Sequence, residues 1–479
     1  NPIDEKSLTD RIRIVPAALF SVSHYSGHVT LSGDFVSGRT YWVTLEAGIA
    51  DIHDADAEQA FGGFGKIRYG DLTLSVSGSH RNKDIPTASF LTLTQQGSAT
   101  TDEYIFTDLR YYHAFDSTKS LSVRTSYNTY NYDGHYLIDL GPPAGTSDSR
   151  DLLRSSWSRS ELQFQWDVTK WNKLTLGGDY LRAFRAQQRV FDGVADDTLN
   201  INTLPWSWGA FIQDEIAIGP QLDLVLGTRV DEYRDADNTA NYRAAVVYRP
   251  SKDTTLKLLY GTASRAPTLY ELFYTDATTL FANPNLKIEK ITTYEAVVVQ
   301  ALPWGVEGSL SAFQYRFQDL ISQVDRGDGA FQFQNMGGSN AQGLELGLRK
   351  QWRSGALLRF GGVLQDAKDF NGQRRTNSPR SIENVGVVVP VLRKKTTLAF
   401  DIQHLGERRT RSGRDTGESF VTTANLRFRD VFGLRNLDLT ATVNNLFNER
   451  AFIPSGNEHR QDLIPSPGRA LLFGVQYTF

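Results

Sequence analysis

Apolar side chains recur at every second position in short segments along the whole chain. In Arg469–Phe479, Leu471, Phe473, Val475, Tyr477 and Phe479 share one face, while Gly474, Gln476 and Thr478 share the other. Leu72, Leu74 and Val76 alternate with Thr73, Ser75, Ser77 and Ser79. Leu162, Phe164, Trp166 and Val168 alternate with Glu161, Gln163, Gln165 and Asp167. Leu437, Leu439, Ala441 and Val443 alternate with Asp438, Thr440, Thr442 and Asn444. A side-chain period of two means a strand between two unlike environments. Carboxylates and amides opposite the apolar face suit a wet lumen better than a dry sandwich core.

The joins between segments are alternately short and long. The short ones hold Ser37-Gly38-Arg39, Asp116-Ser117-Thr118, Gly219-Pro220, Ser251-Lys252-Asp253 and Arg353-Ser354-Gly355, residue types that suit tight hairpins. The long ones are 85–104, 138–154, 191–205, 268–290, 325–340, 371–380, 408–418 and 454–468. The pattern predicts an all-β fold, a transmembrane antiparallel barrel of about 22 strands, with tight turns at one end and long loops at the other. Closure removes the exposed edges that so large a sheet would otherwise carry. Strand-like sequence begins near Arg11, so residues 11–479 read as barrel and 1–10 as a lead-in. Tyr41 and Trp42, Tyr111 and Tyr112, Tyr127, Tyr130 and Tyr132, and Trp206 and Trp208 cluster near strand ends, as interfacial girdles do. Ordinary strand propensity is the plainer account of the same aromatics.

Composition narrows the picture further. The chain has 479 residues, 51 Lys+Arg against 54 Asp+Glu and a formal net charge of −3, which gives no electrostatic case for nucleic acid. The strongest apolar run, Val385–Leu392, contains Gly386 and Pro390 and falls far short of the ~20 residues of a spanning helix. A mean hydropathy of −0.37 is compatible with a barrel, because only alternate residues in the lipid band need be apolar. There is no cysteine, hence no disulfide or thiolate chemistry. Met336 is the only methionine, so the chain is expected to be processed or trimmed at its start.

Two stretches go beyond a generic barrel. Tyr260–Phe273 closes a strand on Arg265, Ala266 and Pro267, and is followed by Asn283, Pro284, Asn285, Leu286 and Glu289, then Thr293, Tyr294 and Glu295. Near the C-terminus, Asn444, Asn445, Leu446, Phe447 and Asn448 precede Pro467, Gly468, Arg469 and a last strand ending in the aromatic Phe479. These resemble the central and C-terminal signatures of TonB-dependent outer-membrane receptors, and Gln342–Gly347 is similar to a weaker third. Ile288 stands where that family often has proline. The resemblance implies a monomeric barrel in the outer membrane of a Gram-negative bacterium, with both termini toward the periplasm. It further implies import of a scarce nutrient, most often a ferric siderophore or similar metal chelate, driven by the TonB complex through an N-terminal region, and makes residues 1–10 a lead-in from a plug domain outside this chain. A passive, unplugged diffusion pore is the alternative within the membrane. A soluble all-β protein such as a propeller is the alternative outside it, although no repeat of fixed period supports a propeller.

Several residues are candidates for chemistry. Tyr270, Phe273 and Tyr274 follow the strand end at Pro267 and either meet a ligand or shape a loop base. Arg374, Arg375 and Arg380 fall in one long loop, Arg408, Arg409, Arg411 and Arg414 in the next, and His459 and Arg460 in the last. Brought together, they would form a basic mouth for an anionic chelate. Their plainer role is contact with anionic headgroups of outer-membrane lipid and lipopolysaccharide, or simple solvation. Asp51, Asp54, Asp56 and Glu58 offer oxygens at alternate positions for Ca²⁺, but without the glycine and spacing of an EF-hand. The eight histidines are dispersed and form no zinc spacing. No nucleophile elbow or Walker loop occurs, so nothing supports an enzyme, and no cofactor is expected.

Overall fold

The computed structural model describes residues 57–86, 97–141, 145–192, 195–276, 279–328, 330–391, 395–459 and 461–477, with Thr92 and four short strands, Ile12–Val15, Phe20–Tyr25, His28–Gly33 and Trp42–Leu45. The lead-in 1–10 lies outside the described residues, as do Asp51, Asp54, Asp56, Arg460 and Phe479.

The alternation in the sequence becomes register in the sheet. Leu74 lies opposite Leu109, and the next pair, Ser75 opposite Asp108, faces the other way. Along the antiparallel ladders from Glu58–Tyr69 to Ala470–Tyr477 the apolar residues of neighbouring strands gather on one face, so a single slip would expose the wrong set. Twenty strands follow one another around the barrel. Ala195–Asn202 and Trp206–Ala217 both pair with Asn172–Asp192 and form successive lengths of one stave. The wall therefore has nineteen staves among the described residues.

The apolar face is the outer one. Leu162, Leu258, Leu344 and Leu364 are 50–61% exposed, which water would penalise and lipid does not. The inner face carries the charge. Arg124 pairs with Asp108 at 2.5 Å, Arg159 with Asp179 at 2.8 Å and Arg427 with Asp438 at 2.5 Å. Trp171 and Trp352 sit at the tight-turn end, each with a lysine ammonium 4.8 Å from its ring centre. Tyr127, Tyr180, Trp208 and Tyr242 form a second exposed aromatic belt higher on the outer wall. The two belts bracket a band of the height a bilayer core requires, roughly 25 Å.

Two joins differ from expectation. Residues 138–154 and 191–205 are mostly hydrogen-bonded strand: Lys119–Gly141 and Gly145–Thr169 have 23 and 25 residues, and Asn172–Asp192 pairs with Ala195–Asn202. At about 3.4 Å per residue these hairpins far exceed the ~9–11 residues that cross a bilayer. Above the membrane both faces are wet, so pairs such as His135–Arg150 and Gly134–Asp151 carry no apolar alternation to read.

Candidate functional site

The long-loop end is roofed by segments from widely separated staves. After Arg265 the chain turns into the short helix Leu269–Phe273. Thr268 and Glu271 start it with a capping box: the Thr268 hydroxyl accepts from the Glu271 N–H at 3.2 Å, and the Glu271 carboxylate accepts from the Thr268 N–H at 2.7 Å. Arg265 grips Glu271 with two bonds of 2.9 and 3.0 Å and also pairs with Glu289. Such a planar fork fixes the strand end, the helix and the returning strand together.

Asn283, Pro284, Asn285 and Leu286 continue this frame. Asn283 donates to the Phe333 carbonyl at 2.7 Å and accepts from the Asn285 N–H at 3.2 Å. Leu286 and Ile288 are buried, and Glu289 accepts from the Ile321 N–H at 2.6 Å. These residues dock the loop onto a small three-stranded sheet made of Leu280–Phe281, Leu320–Asp325 and Phe331–Met336. Ala266 is half-buried and Pro267 buried at the strand end. The second motif is also a turn. Asn445, at φ 50° and buried, bonds the N–H and carbonyl of Glu449 at 2.7 and 2.9 Å, Leu446 donates from its backbone to Thr422, and Phe447 is 71% exposed.

The helix presents aromatics to the mouth. Tyr270 and Tyr274 have ring centres 4.4 Å apart, and Phe333 meets Tyr270 edge-on at 5.8 Å. Phe273 is half-buried behind them. The Tyr274 hydroxyl donates to Asp151 at 3.1 Å, reaching the long hairpin of a stave well round the barrel. Near it, the Tyr132 and Tyr136 hydroxyls hydrogen-bond each other. Burial pushes the Asp151 carboxyl up to about 6, the Tyr274 bond opposes that shift, and the nearby Asp276 charge adds to it. Burial also raises the Tyr270 and Tyr274 phenols, with the Asp151 charge next in importance. Sequence reasoning missed Asp151 and Phe333, because their neighbourhood is made by folding and not by spacing.

The loops carrying the candidate arginines do meet. Asn377 donates from its backbone to Arg409 at 2.9 Å, and Arg411 donates to the His459 carbonyl at 2.8 Å. Most of the arginines are already engaged. Arg374 pairs with Glu407 and Asp415 at 3.3 and 3.4 Å; Arg408 bonds Asn377 and the Phe452 carbonyl; Arg414 pairs with Asp462 at 3.0 Å. Asp462 is held down to about 2, against its own desolvation, by hydrogen bonds from Ser412, Thr410 and Arg414. Arg375, Arg380 and Arg409 have no side-chain acceptor among the described residues. Three of the candidates leave a buried nitrogen without a partner among the described residues: Nε of Arg374, Nε of Arg408 and Nδ1 of His459. Burial lowers the Arg408 and His459 pKa values, with the Arg411 charge also lowering His459 and the Glu458 charge opposing. Of the proposed calcium ligands, only Glu58 lies among the described residues, and Arg81 holds both its oxygens, at 3.0 and 3.2 Å. No group of metal-binding side chains occurs among the described residues.

A large antiparallel barrel, apolar outside, charged inside and roofed at one end, is the architecture of an outer-membrane β-barrel. Residues 48–446 match the family model described as TonB dependent receptor-like, beta-barrel, and the chain belongs to that family, resident in the bacterial outer membrane. It is 30% identical over 122 residues to the iron-regulated outer membrane virulence protein of Vibrio cholerae, a match covering 24% of this chain and 19% of that relative. Among solved structures it is similar to the ferric-catecholate import receptor Fiu of E. coli K12, with TM-score 0.68, 14% identity, and coverage of 89% of this chain and 75% of the other. It is also similar to the pyoverdine receptor FpvA of Pseudomonas aeruginosa PAO1, with TM-score 0.70, 12% identity, and coverage of 88% and 71%. At that identity the likeness is one of fold.

Proposed function

We propose that this barrel recognises and admits an anionic metal chelate, a ferric siderophore or a close chemical equivalent. The observation that carries this reading is the set of buried, unpartnered nitrogens on Arg374, Arg408 and His459, in loops that clasp one another at the mouth. A buried arginine N–H without an acceptor is costly, and a chelate oxygen would supply the acceptor; the His459 ring, with Nε2 toward Glu458, offers Nδ1 as a lone pair to a ligand donor. Arg375, Arg409 and Arg411 add donors around it, and Arg460 follows His459 in sequence. Tyr270, Phe273 and Tyr274 supply an aromatic surface for the organic part of the ligand. Names of relatives point the same way, since those proteins are described by iron regulation, ferric catecholate and pyoverdine. Energised passage would require the TonB complex acting through a region preceding this barrel. We read the barrel as a monomer, since one closed wall encloses its own path.

The test is a tryptophan-fluorescence titration of the detergent-solubilised protein, which has 8 tryptophans, with a ferric tris-catecholate, a ferric tris-hydroxamate and haem. Replacing Arg408, Arg409 and Arg411 together with Gln should weaken the best of these by at least tenfold. Because Arg408 and Arg411 also tie loops together, Arg409→Gln alone is the companion variant and should weaken binding while leaving those ties intact. Unchanged affinity in both variants, or no binding of any chelate, would overturn the reading.

A further inference from the structure

The outer wall carries a recess that faces away from the lumen. It has a volume of about 490 Å³ and is lined by Tyr180, Arg182, Leu204, Trp206, Trp208 and Arg234. Register places it on the lipid side. Tyr180 lies opposite Trp208 and Arg182 opposite Trp206, in the same alternation as Leu176 opposite Ile212; Tyr180, Trp208, Leu176 and Ile212 are exposed and Trp206 is half-buried. Tyr180 and Arg182 stand eight and ten residues above Asn172, where the strand leaves its tight turn. At about 3.4 Å per residue and a tilt near 45°, that is roughly 20–25 Å, the upper limit of the apolar band.

At that height Arg182 faces no carboxylate among the described residues and Arg234 has Asp235 only at the edge of pairing distance. Arg182 is exposed and has no side-chain acceptor among the described residues. Arg234 is held by a 2.7 Å bond to the Leu204 carbonyl, with Asp235 3.8 Å away. Glu232 is engaged by the Trp208 indole N–H at 2.9 Å, which fixes that ring in place. Arg182 and Arg234 flank Trp206 from the staves on either side, so their backbones are roughly 10 Å apart, two strand spacings. Below them, Leu176, Ile212 and Val230 form an apolar wall for acyl chains.

We propose that this recess binds the phosphorylated sugar headgroup of an outer-leaflet glycolipid, lipopolysaccharide, with Arg182 and Arg234 on its phosphates and Trp206 and Trp208 beneath the sugars. A headgroup with two separated phosphates fits two guanidiniums on separate staves. A phospholipid with one phosphate engages only one of them.

The experiment is native mass spectrometry of the delipidated protein in detergent, titrated with bis-phosphorylated lipid A, with lipid A stripped of phosphate, with phosphatidylglycerol and with inorganic phosphate. The unaltered protein should retain one lipid A. The double variant Arg182→Gln, Arg234→Gln should retain it about tenfold less. Arg182→Gln alone, which removes no internal bond, should give an intermediate loss. Dephosphorylated lipid A should bind no better to the unaltered protein than lipid A binds to the double variant. Equal lipid A retention by all variants would overturn the proposal. So would equal occupancy by phosphatidylglycerol, or by inorganic phosphate, which would make the site a generic anion contact.

Discussion

At the scale of single residues, Asp151 is the group whose state should change within an ordinary range of pH. Its carboxyl titrates near 6 with the roof closed, raised first by burial, against roughly 3.9 when solvated. It lies some eighteen residues above the tight turn that ends its strand, well outside the bilayer. The charged form is the one burial penalises, so the closed roof binds the proton more tightly than a roof with that loop released. Closure is therefore most stable below pH ~4, weakens between ~4 and ~6, and is uniformly weaker above, by on the order of 2 kcal/mol. Hydrogen exchange of segment 268–276, corrected for intrinsic rate, should be slower at pH 5 than at pH 7.5. Asp151→Asn, which keeps an acceptor for the Tyr274 hydroxyl, should abolish that difference. A pH difference that survives in the variant would assign it to Asp276, Glu458 or another group.

At the scale of elements, glycines on the inner wall make room for arginines that reach across a stave. Arg229 extends past Gly209 to Asp179 at 2.6 Å, and Arg359 past Gly386 to Asp401 at 2.7 Å. A methyl at Gly209 would overlap the Arg229 guanidinium, and one at Gly386 would overlap Arg359. At Gly209 those atoms are the far ends of Arg229 and Asp231, and at Gly386 they reach down to the Arg359 Cγ, so the whole side chain must swing away; Gly209→Ala and Gly386→Ala should fold but lose the cross-stave pairs, each costing about 1 kcal/mol or more. Gly63→Ala, where nothing lies within 4 Å, is the control. The heat needed to convert the compact barrel to the slow-migrating form on gels should fall for the first two only. Equal behaviour of all three would show that these pairs do not brace the wall. The staves themselves were legible in the sequence because lipid and lumen impose opposite polarity on alternate residues. Leu72–Asp84 and Leu437–Asn444 fell where the pattern put them. The upper halves of Lys119–Gly141 and Gly145–Thr169 were not legible, since water on both faces erases that contrast. The motif around Arg265 and Asn283 was visible as a signature, but its work of bolting the loop to Phe333, Asn335 and Ile321 depends on residues 32 to 50 positions away.

The whole molecule makes a demand that its two end staves reveal. Glu58–Tyr69 runs toward the tight-turn end, and so does the last stave, Ala470–Tyr477. They come next to each other around the barrel, yet every residue of the first is exposed, and Leu471, Phe473 and Val475 of the last are 64, 80 and 73% exposed. Two staves running the same way can meet only as a parallel pair, whereas the ladders on either side of them, and the rest of the described wall, are antiparallel. An odd number of staves belongs between them. The chain between Arg11 and Glu58 holds four short strands, a tight-turn sequence at Ser37-Gly38-Arg39 and an acidic join after Ala50, which is length and punctuation for three crossings of ~10 residues. Three added to nineteen makes the even count of about 22 that a closed bacterial barrel requires. Since the chain has no cysteine, pairs can be introduced cleanly. A cysteine replacing Val475 should form a disulfide with one walked through positions 11–25, and not with one replacing Ile67 in Glu58–Tyr69. In intact cells, a cysteine replacing Ser354 at a tight turn should resist a membrane-impermeant maleimide, while one replacing Asn371 in a long loop should react. Cross-linking of Val475 to Ile67 alone would mean that the wall closes without the first strands, and that residues 11–57 do not belong to it.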